Sequence, residues 1–425
     1  MIAPRKRILT VVFTLGPGGT ERCALNFHLG YLENGHDSKI AILHESNNHY
    51  SNRYVTGDII YVLSLVQSRE SLKAWKPEIV HIHSHAITEQ GYEIVRALAG
   101  NAVFLETNVF SKPSPWANQL SYSFQLSDWC KWLYDRRSST ATNSIILPNA
   151  VDVTRFTQSC EGRRQIFRNE LEIAQNDFVI GRVGQPIRDK WSPHIIQLFE
   201  RVRAKRSHCK LILVGPPSQI VSLAKKSNYH SDIRIIDFIH DDADLECCYS
   251  SLDLFVLIAN QGESFGMVIT ESLLCQTPVI ALATPWADNS QGEVIGHEVG
   301  GYICTTLQEV EERACQIIDS PNLKTTLGAM GRSRILRTYD KKALANRVVT
   351  LSLVSSSAEI RTDSPPSSVS ALAGKYGVLS RLILLYTPWR WLLKYTTGYR
   401  TPLLFVPDLI AKLVRAAKKL AISSS

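Results

Sequence analysis

The sequence has no Cys-x-x-Cys spacing, and its nine cysteines are an odd number scattered over 425 residues. That distribution argues against a disulfide frame or a zinc ribbon and fits reduced thiols, as in a cytoplasmic protein. No uninterrupted apolar run reaches about 18 residues, so no segment reads as a membrane-crossing helix. No internal repeat at a fixed period is visible. The stretch from Ile8 to Leu15 is short, ends in Gly-Pro-Gly-Gly and lacks a small-x-small cleavage pattern, so it reads as a first strand and not as a secretory signal. Acid is scarce at the other end. From Leu372 to Ser425 nine basic residues face Asp408 alone, which accounts for the whole net charge of +8. No groove-reading motif accompanies that charge, so nucleic acid is not an expected partner.

With 44% hydrophobic and 20% charged residues the chain reads as ordinary globular protein, and its length suggests two or three domains. Strand-like runs alternate with helical periodicities: RILTVVFTL, KIAILH, IVHIHSH and AVFLET, then DFVIGRVG, CKLILVG, DIRIIDF, LDLFVLIA and TPVIAL. Nearly continuous apolar strands separated by helices predict α/β architecture with parallel sheets covered on both faces. The series breaks in the polar stretch from Asp152 to Asn176. Two Rossmann-like domains facing a cleft are therefore expected, at 1–165 and 166–354. Ser- and Pro-rich residues 355–370 read as a linker to a basic amphipathic tail at 371–425.

Four stretches carry candidate chemistry. In LGPGGTERCALNFHLGYL, Gly16, Gly18 and Gly19 follow the first strand, and Thr20 is placed to cap a helix. Glycines there admit a ligand close to the backbone, and amides at the helix start attract phosphate. A plain strand-to-helix turn would use the same glycines. In EIVHIHSHA, alternation puts His81, His83 and His85 on one strand face, near the strand end where ligands bind in such folds. No acidic or cysteine cluster accompanies them to suggest a metal. The stretch DFVIGRVGQPIRDKW reads as a strand and then a loop bearing Arg182, Gln185, Arg188 and Lys190, cations suited to a diphosphate.

The fourth stretch is NQGESFGMVITESLLCQTPVIA, residues 260–281. A loop through Gly266 and a helix from about Met267 place Glu263 in the loop and Glu271 one turn into the helix. The two are not a helical i,i+4 pair. They instead suit the two ends of a grip on a polyhydroxylated ligand, provided that both face one cleft.

The order GPGGTER, VHIHSH, ILPNAVDVTRF, GRVGQPIRDKW, LILVG, ESFGMVITESLLCQTPVIAL and NSQGEVI resembles the family 4 glycosyltransferases of the GT-B fold, over about residues 8–350. The resemblance implies a retaining, metal-independent transfer of a hexose from a nucleotide-sugar, with no cofactor. It assigns Glu271 to the ribose, Glu263 to the donor sugar and Lys190 to the diphosphate. It sets His83 near the reacting carbon and Gly16, Gly18 and Gly19 beside the diphosphate. Gly266 lets the backbone approach the donor. The pattern departs at Gln185, where the family usually has arginine; a neutral amide donates hydrogen bonds but cannot neutralise a diphosphate, a task left to Arg182 or Arg188.

The tail helix PDLIAKLVRAAKKLA separates an apolar face from Lys412, Arg415 and Lys419, and Trp389 and Trp391 precede it. Such a segment suits the surface of an anionic membrane, as a peripheral attachment. The expected acceptor is a glycan or lipid-linked glycan, as in bacterial surface polysaccharide synthesis. Two other readings stand beside this one: a nucleotide-sugar epimerase of the same architecture, and a non-catalytic nucleotide-sugar-binding partner.

Overall fold

A computed structural model describes residues 4–44, 59–62, 65–138, 143–157, 161–284 and 288–353. The linker and basic tail inferred at 355–370 and 371–425 lie outside the described residues. The first domain is one parallel sheet of β1 (Arg7–Val12), β2 (Asp37–Ile42), β3 (Ile59–Tyr61), β4 (Ile79–His83), β5 (Val103–Asn108), β6 (Tyr122–Gln125) and β7 (Ser144–Ile146). Their order is β3-β2-β1-β4-β5-β6-β7. Helices α1 (Gly19–Glu33), α2 (Val66–Trp75), α3 (Glu89–Ala99) and α4 (Asp128–Arg137) complete it. Strand β1 is apolar almost throughout because both its faces are covered. Ile8 joins a core with Phe27 and Tyr31 of α1, while Leu9 and Val11 join one with Tyr92 and Val95 of α3.

The second domain opens with α5 (Glu161–Glu170). It then alternates β8 (Phe178–Val183), α6 (His194–Lys205), β9 (Cys209–Val214), α7 (Ser218–Lys226), β10 (Ile233–Ile236) and α8 (Asp242–Ser251). There follow β11 (Leu254–Leu257), α9 (Met267–Leu274), β12 (Val279–Leu282), α10 (Gln291–Ile295), β13 (Gly301–Cys304), α11 (Leu307–Ile318) and α12 (Pro321–Thr338). Its sheet, β10-β9-β8-β11-β12-β13, is also parallel. Strands β3, β6, β7 and β13 were not among the runs named from the sequence. They have three or four residues each, and β6 buries Ser123 and Gln125, which breaks the apolar signal.

Two helices ignore the division drawn from the sequence. Helix α5 straddles position 165 and packs on α8 of the second domain. The last described helix, α13 (Lys341–Ser352), leaves the second domain and packs along α1. It does so because its stripe of Leu344, Ala345, Val348 and Val349 is covered there, in one core with Ile8, Cys23, Phe27 and Tyr31. The chain thus crosses between domains twice, and the crossings are bonded together: Val151 N donates to Tyr339 O at 2.8 Å and Lys341 N to Val151 O at 2.9 Å. Lys341 Nζ adds ion pairs at 2.8 Å to Glu33 and to Asp152, and this partner holds the Asp152 carboxyl below its ordinary range.

The contact of α1 with α13 depends on Gly30, where a Cβ would stand 2.5 Å from the Lys341 carbonyl oxygen and 2.9 Å from Ala345 Cβ. Gly30→Val is expected to wedge the helices apart and lower stability by about 1–3 kcal/mol, the usual cost of overpacking. Urea unfolding of the variant beside the wild type measures it.

Candidate active site

The glycine loop ends β1 and opens α1 two residues earlier than a cap at Thr20 suggests: the helix begins at Gly19, Gly18 occupies the N-cap, and no side chain caps it. Gly18, Gly19 and Thr20 line the cleft, so the first amides of the helix, with no side-chain cap, suit an anion there. The Glu21 carboxylate folds back over Gly18, so that any Cβ there would collide with it, and accepts from the Thr14 hydroxyl at 3.3 Å. Across the cleft Gly19 faces Met267, the first residue of α9.

The opposite wall is built from the end of β8. Arg182 belongs to the strand and not to the loop. Its guanidinium is buried and donates to the carbonyls of Val183 and Lys190, and it stacks 5.1 Å from the Trp191 ring. Burial lowers its pKa to about 10, with the Glu263 charge acting against the fall. Gln185 is turned across the cleft, where its amide donates to Pro17 O of the glycine loop at 3.3 Å. Arg188 is exposed and does not line the cavity. Lys190 closes the same turn and points its Nζ at Glu263 Oε2, 2.6 Å away.

Glu263 and Glu271 take the loop and helix positions that the sequence assigned. Gly266, the N-cap of α9, has φ of 93°, a left-handed conformation that glycine adopts without the Cβ penalty. Glu271 is 8% exposed, and its carboxylate accepts from Arg155 Nη1 at 3.0 Å and from the Tyr249 hydroxyl at 2.9 Å. Arg155 and Tyr249 were missed from the sequence. Arg155 stood inside the quoted ILPNAVDVTRF stretch, so its position was on view although its partner was not.

One cavity of about 720 Å³ lies between the domains. From the first domain Gly16, Gly18 and Gly19 line it; from the second come Arg182, Gln185, Lys190, Glu263, Gly266 and Glu271. His83 does not. It is 0% exposed at the end of β4, its ring 4.6 Å from His81 and 5.7 Å from Phe27, and neither ring nitrogen has a partner among the described residues. Burial pushes its pKa down to about 3. The expectation set His83 at the ligand, whereas this structure buries it behind the cavity lining. The strand stops at His83 and the chain turns at once, His85 N donating to His83 O at 2.8 Å, and the next histidine, His85, lines the cavity. There its ring meets Phe110 edge to face at 5.1 Å. Among the described residues, no group of three or more His, Cys, Asp or Glu side chains is placed to hold a metal ion, and no helix is long and apolar enough to cross a membrane.

Residues 163–334 match the family described as Glycosyl transferases group 1. Over 191 residues the chain is 25% identical to the capsular polysaccharide biosynthesis glycosyltransferase CapM of Staphylococcus aureus, covering 42% of this chain and 48% of that protein. It is 24% identical over 187 residues to the N-acetyl-alpha-D-glucosaminyl L-malate synthase of Bacillus anthracis, covering 43% and 47%. The chain thus spans about half the length of the curated relatives it matches. Its fold is similar to that of Anabaena HepE solved with UDP and glucose, with a TM-score of 0.67 at 15% identity, over 82% of this chain and 100% of that one. Two parallel-sheet domains around one cleft give this chain the GT-B fold, and its second domain is similar to the group 1 glycosyl transferases, as in proteins of the glycosyltransferase family 4 type.

Proposed function

We propose that the chain is a retaining glycosyltransferase that moves a hexose from a nucleotide-diphosphate sugar to a hydroxyl of a glycan or lipid-linked glycan, in bacterial surface polysaccharide synthesis. The observation that carries this reading is the opening of Lys190, Glu263 and Glu271 onto one cavity beneath the glycine loop. Lys190 and Glu263 form an ion pair at 2.6 Å. An arriving diphosphate takes Lys190, and Glu263 turns its acceptor oxygens to the sugar hydroxyls. Glu271 receives the ribose. As the bond from the anomeric carbon to the diphosphate breaks, the acceptor oxygen bonds to that carbon from the same face and its proton passes to a phosphate oxygen. Lys190 and the amides at the starts of α1 and α9 stabilise the charge on the leaving diphosphate. His85 and Phe110 form the first-domain wall along which the acceptor enters. The relative CapM is named for capsular polysaccharide biosynthesis, and HepE was solved with UDP and glucose; both support this choice of substrates.

A thermal-shift screen against nucleotide-sugars tests the donor side. A matched donor at a hundred times its Kd is expected to stabilise the native chain by about 2.7 kcal/mol. That donor is then incubated with and without a panel of glycan acceptors. Transfer supports the proposal. Isomerised donor in the absence of acceptor favours an epimerase, and binding without turnover on any acceptor favours a non-catalytic partner.

A further inference from the structure

We propose that Arg155 is a positioning residue for the ribose of the nucleotide: it fixes the Glu271 carboxylate so that one acceptor site on each oxygen faces the 2′ and 3′ hydroxyls, which makes the cleft select ribose over deoxyribose. This rests on the reading of the cleft as a nucleotide-sugar site. A carboxylate offers about four acceptor sites, two on each oxygen. Arg155 Nη1 occupies one on Oε1 and the Tyr249 hydroxyl one on Oε2. One site on each oxygen is left, which matches a vicinal diol.

Arg155 is itself held from several sides. It lies in neither sheet, on the segment between β7 and α5 that joins the domains. Its Nε donates to Asp242 Oδ2 at 2.7 Å and its Nη2 to Asp242 Oδ1, while its guanidinium carbon sits 4.3 Å from the centre of the Phe156 ring. Asp242 is approached in turn by Arg22 of α1 at 3.9 Å, so the anchor reaches the first domain. Arg22, Arg155, Asp242 and Glu271 all line the cavity. The planar fork of an arginine serves two carboxylates at once, whereas an ammonium is a single point charge. Without it, Glu271 loses its ion pair while Arg22 stays 3.9 Å from Asp242, and the repulsion between the two carboxylates would turn Glu271 out of register with the diol.

The test is calorimetric titration of the full chain with UDP, GDP and ADP, and then with the 2′-deoxy form of whichever binds. Wild type is expected to favour the ribonucleotide by about tenfold or more, as a hydrogen bond to a charged group allows. In R155A the two forms should bind within about twofold of each other. R155K, which keeps the charge but not the fork, should fall between and covers the case in which R155A fails to fold. A purely structural role for Arg155 would weaken both nucleotides and leave their ratio unchanged, and that result overturns the inference. If wild type binds none of the three nucleotides, the underlying reading of the cleft fails instead.

Discussion

Lys190→Ala is expected to lower kcat by about 10²–10³-fold while the fold remains intact, the range seen when one preorganised donor to a developing negative charge is removed. The size of the effect follows from what surrounds the lysine. The family pattern expects an arginine at position 185, and the glutamine found there spends its amide on Pro17 O. Arg188 lies outside the cavity lining. Arg182 lines it, but its guanidinium already serves two backbone carbonyls. Lys190, far more exposed than the buried Arg182, is therefore the cation of this turn expected to meet the diphosphate. Lys190 is 39% exposed, so its pair with Glu263 is screened and contributes little to stability. Steady-state turnover at saturating donor, read beside an unfolding midpoint close to that of wild type, checks the expectation. Wild-type turnover in the variant would remove Lys190 from the mechanism and the diphosphate from this end of the cleft.

The second large effect is on stability in acid. His83 has a pKa of about 3 in the native chain, and that of His81 is also lowered well below its ordinary value. Burial is the leading cause for both; for His81 the neighbouring His83 adds to it. Both are neutral when folded, whereas an unfolded histidine titrates near 6.5, so protons bind preferentially to the unfolded chain. The stabilisation is fully present above about pH 6.5. It is lost as pH falls toward 3, at about 1.4 kcal/mol per pH unit for His83 alone and on the order of 5 kcal/mol in full. Glu106, buried with its carboxyl raised, contributes with the opposite sign. The difference between wild type and His83→Leu isolates the histidine. Urea unfolding from pH 8 to 4.5 should show a flatter slope for the variant and no loss of stability at pH 8, since neither ring nitrogen gives up a partner. Turnover should stay near that of wild type, because His83 does not line the cavity. A parallel slope, or a hundredfold loss of turnover, would contradict this placement.

The helix that carries Glu271 was legible almost to the residue. A glycine turn followed by an apolar run predicted a start near Met267, and α9 begins there. The glycine loop was legible for the same reason, since a turn between strand and helix is a local event recorded in adjacent residues. The histidines were not. Alternation along β4 assigns His81, His83 and His85 to one face, but where a strand ends depends on what pairs with it. Here Ser84 N bonds to Thr107 O, and the chain turns as His85 N bonds back to His83 O. One turned peptide exchanges the histidine that lines the cavity.

Residue order alone determined the layered α/β class, the two parallel sheets and the loop and helix positions of the paired glutamates, because periodicity, turn glycines and apolar runs act over a few neighbouring positions. Tertiary structure alone decided which of these side chains share a cavity. Arg155 meets Asp242 and Glu271 at separations of 87 and 116 residues, and α13 returns to α1 only when its apolar stripe finds cover. Contacts of that span are chosen by the packing of the whole chain, and no local pattern encodes them.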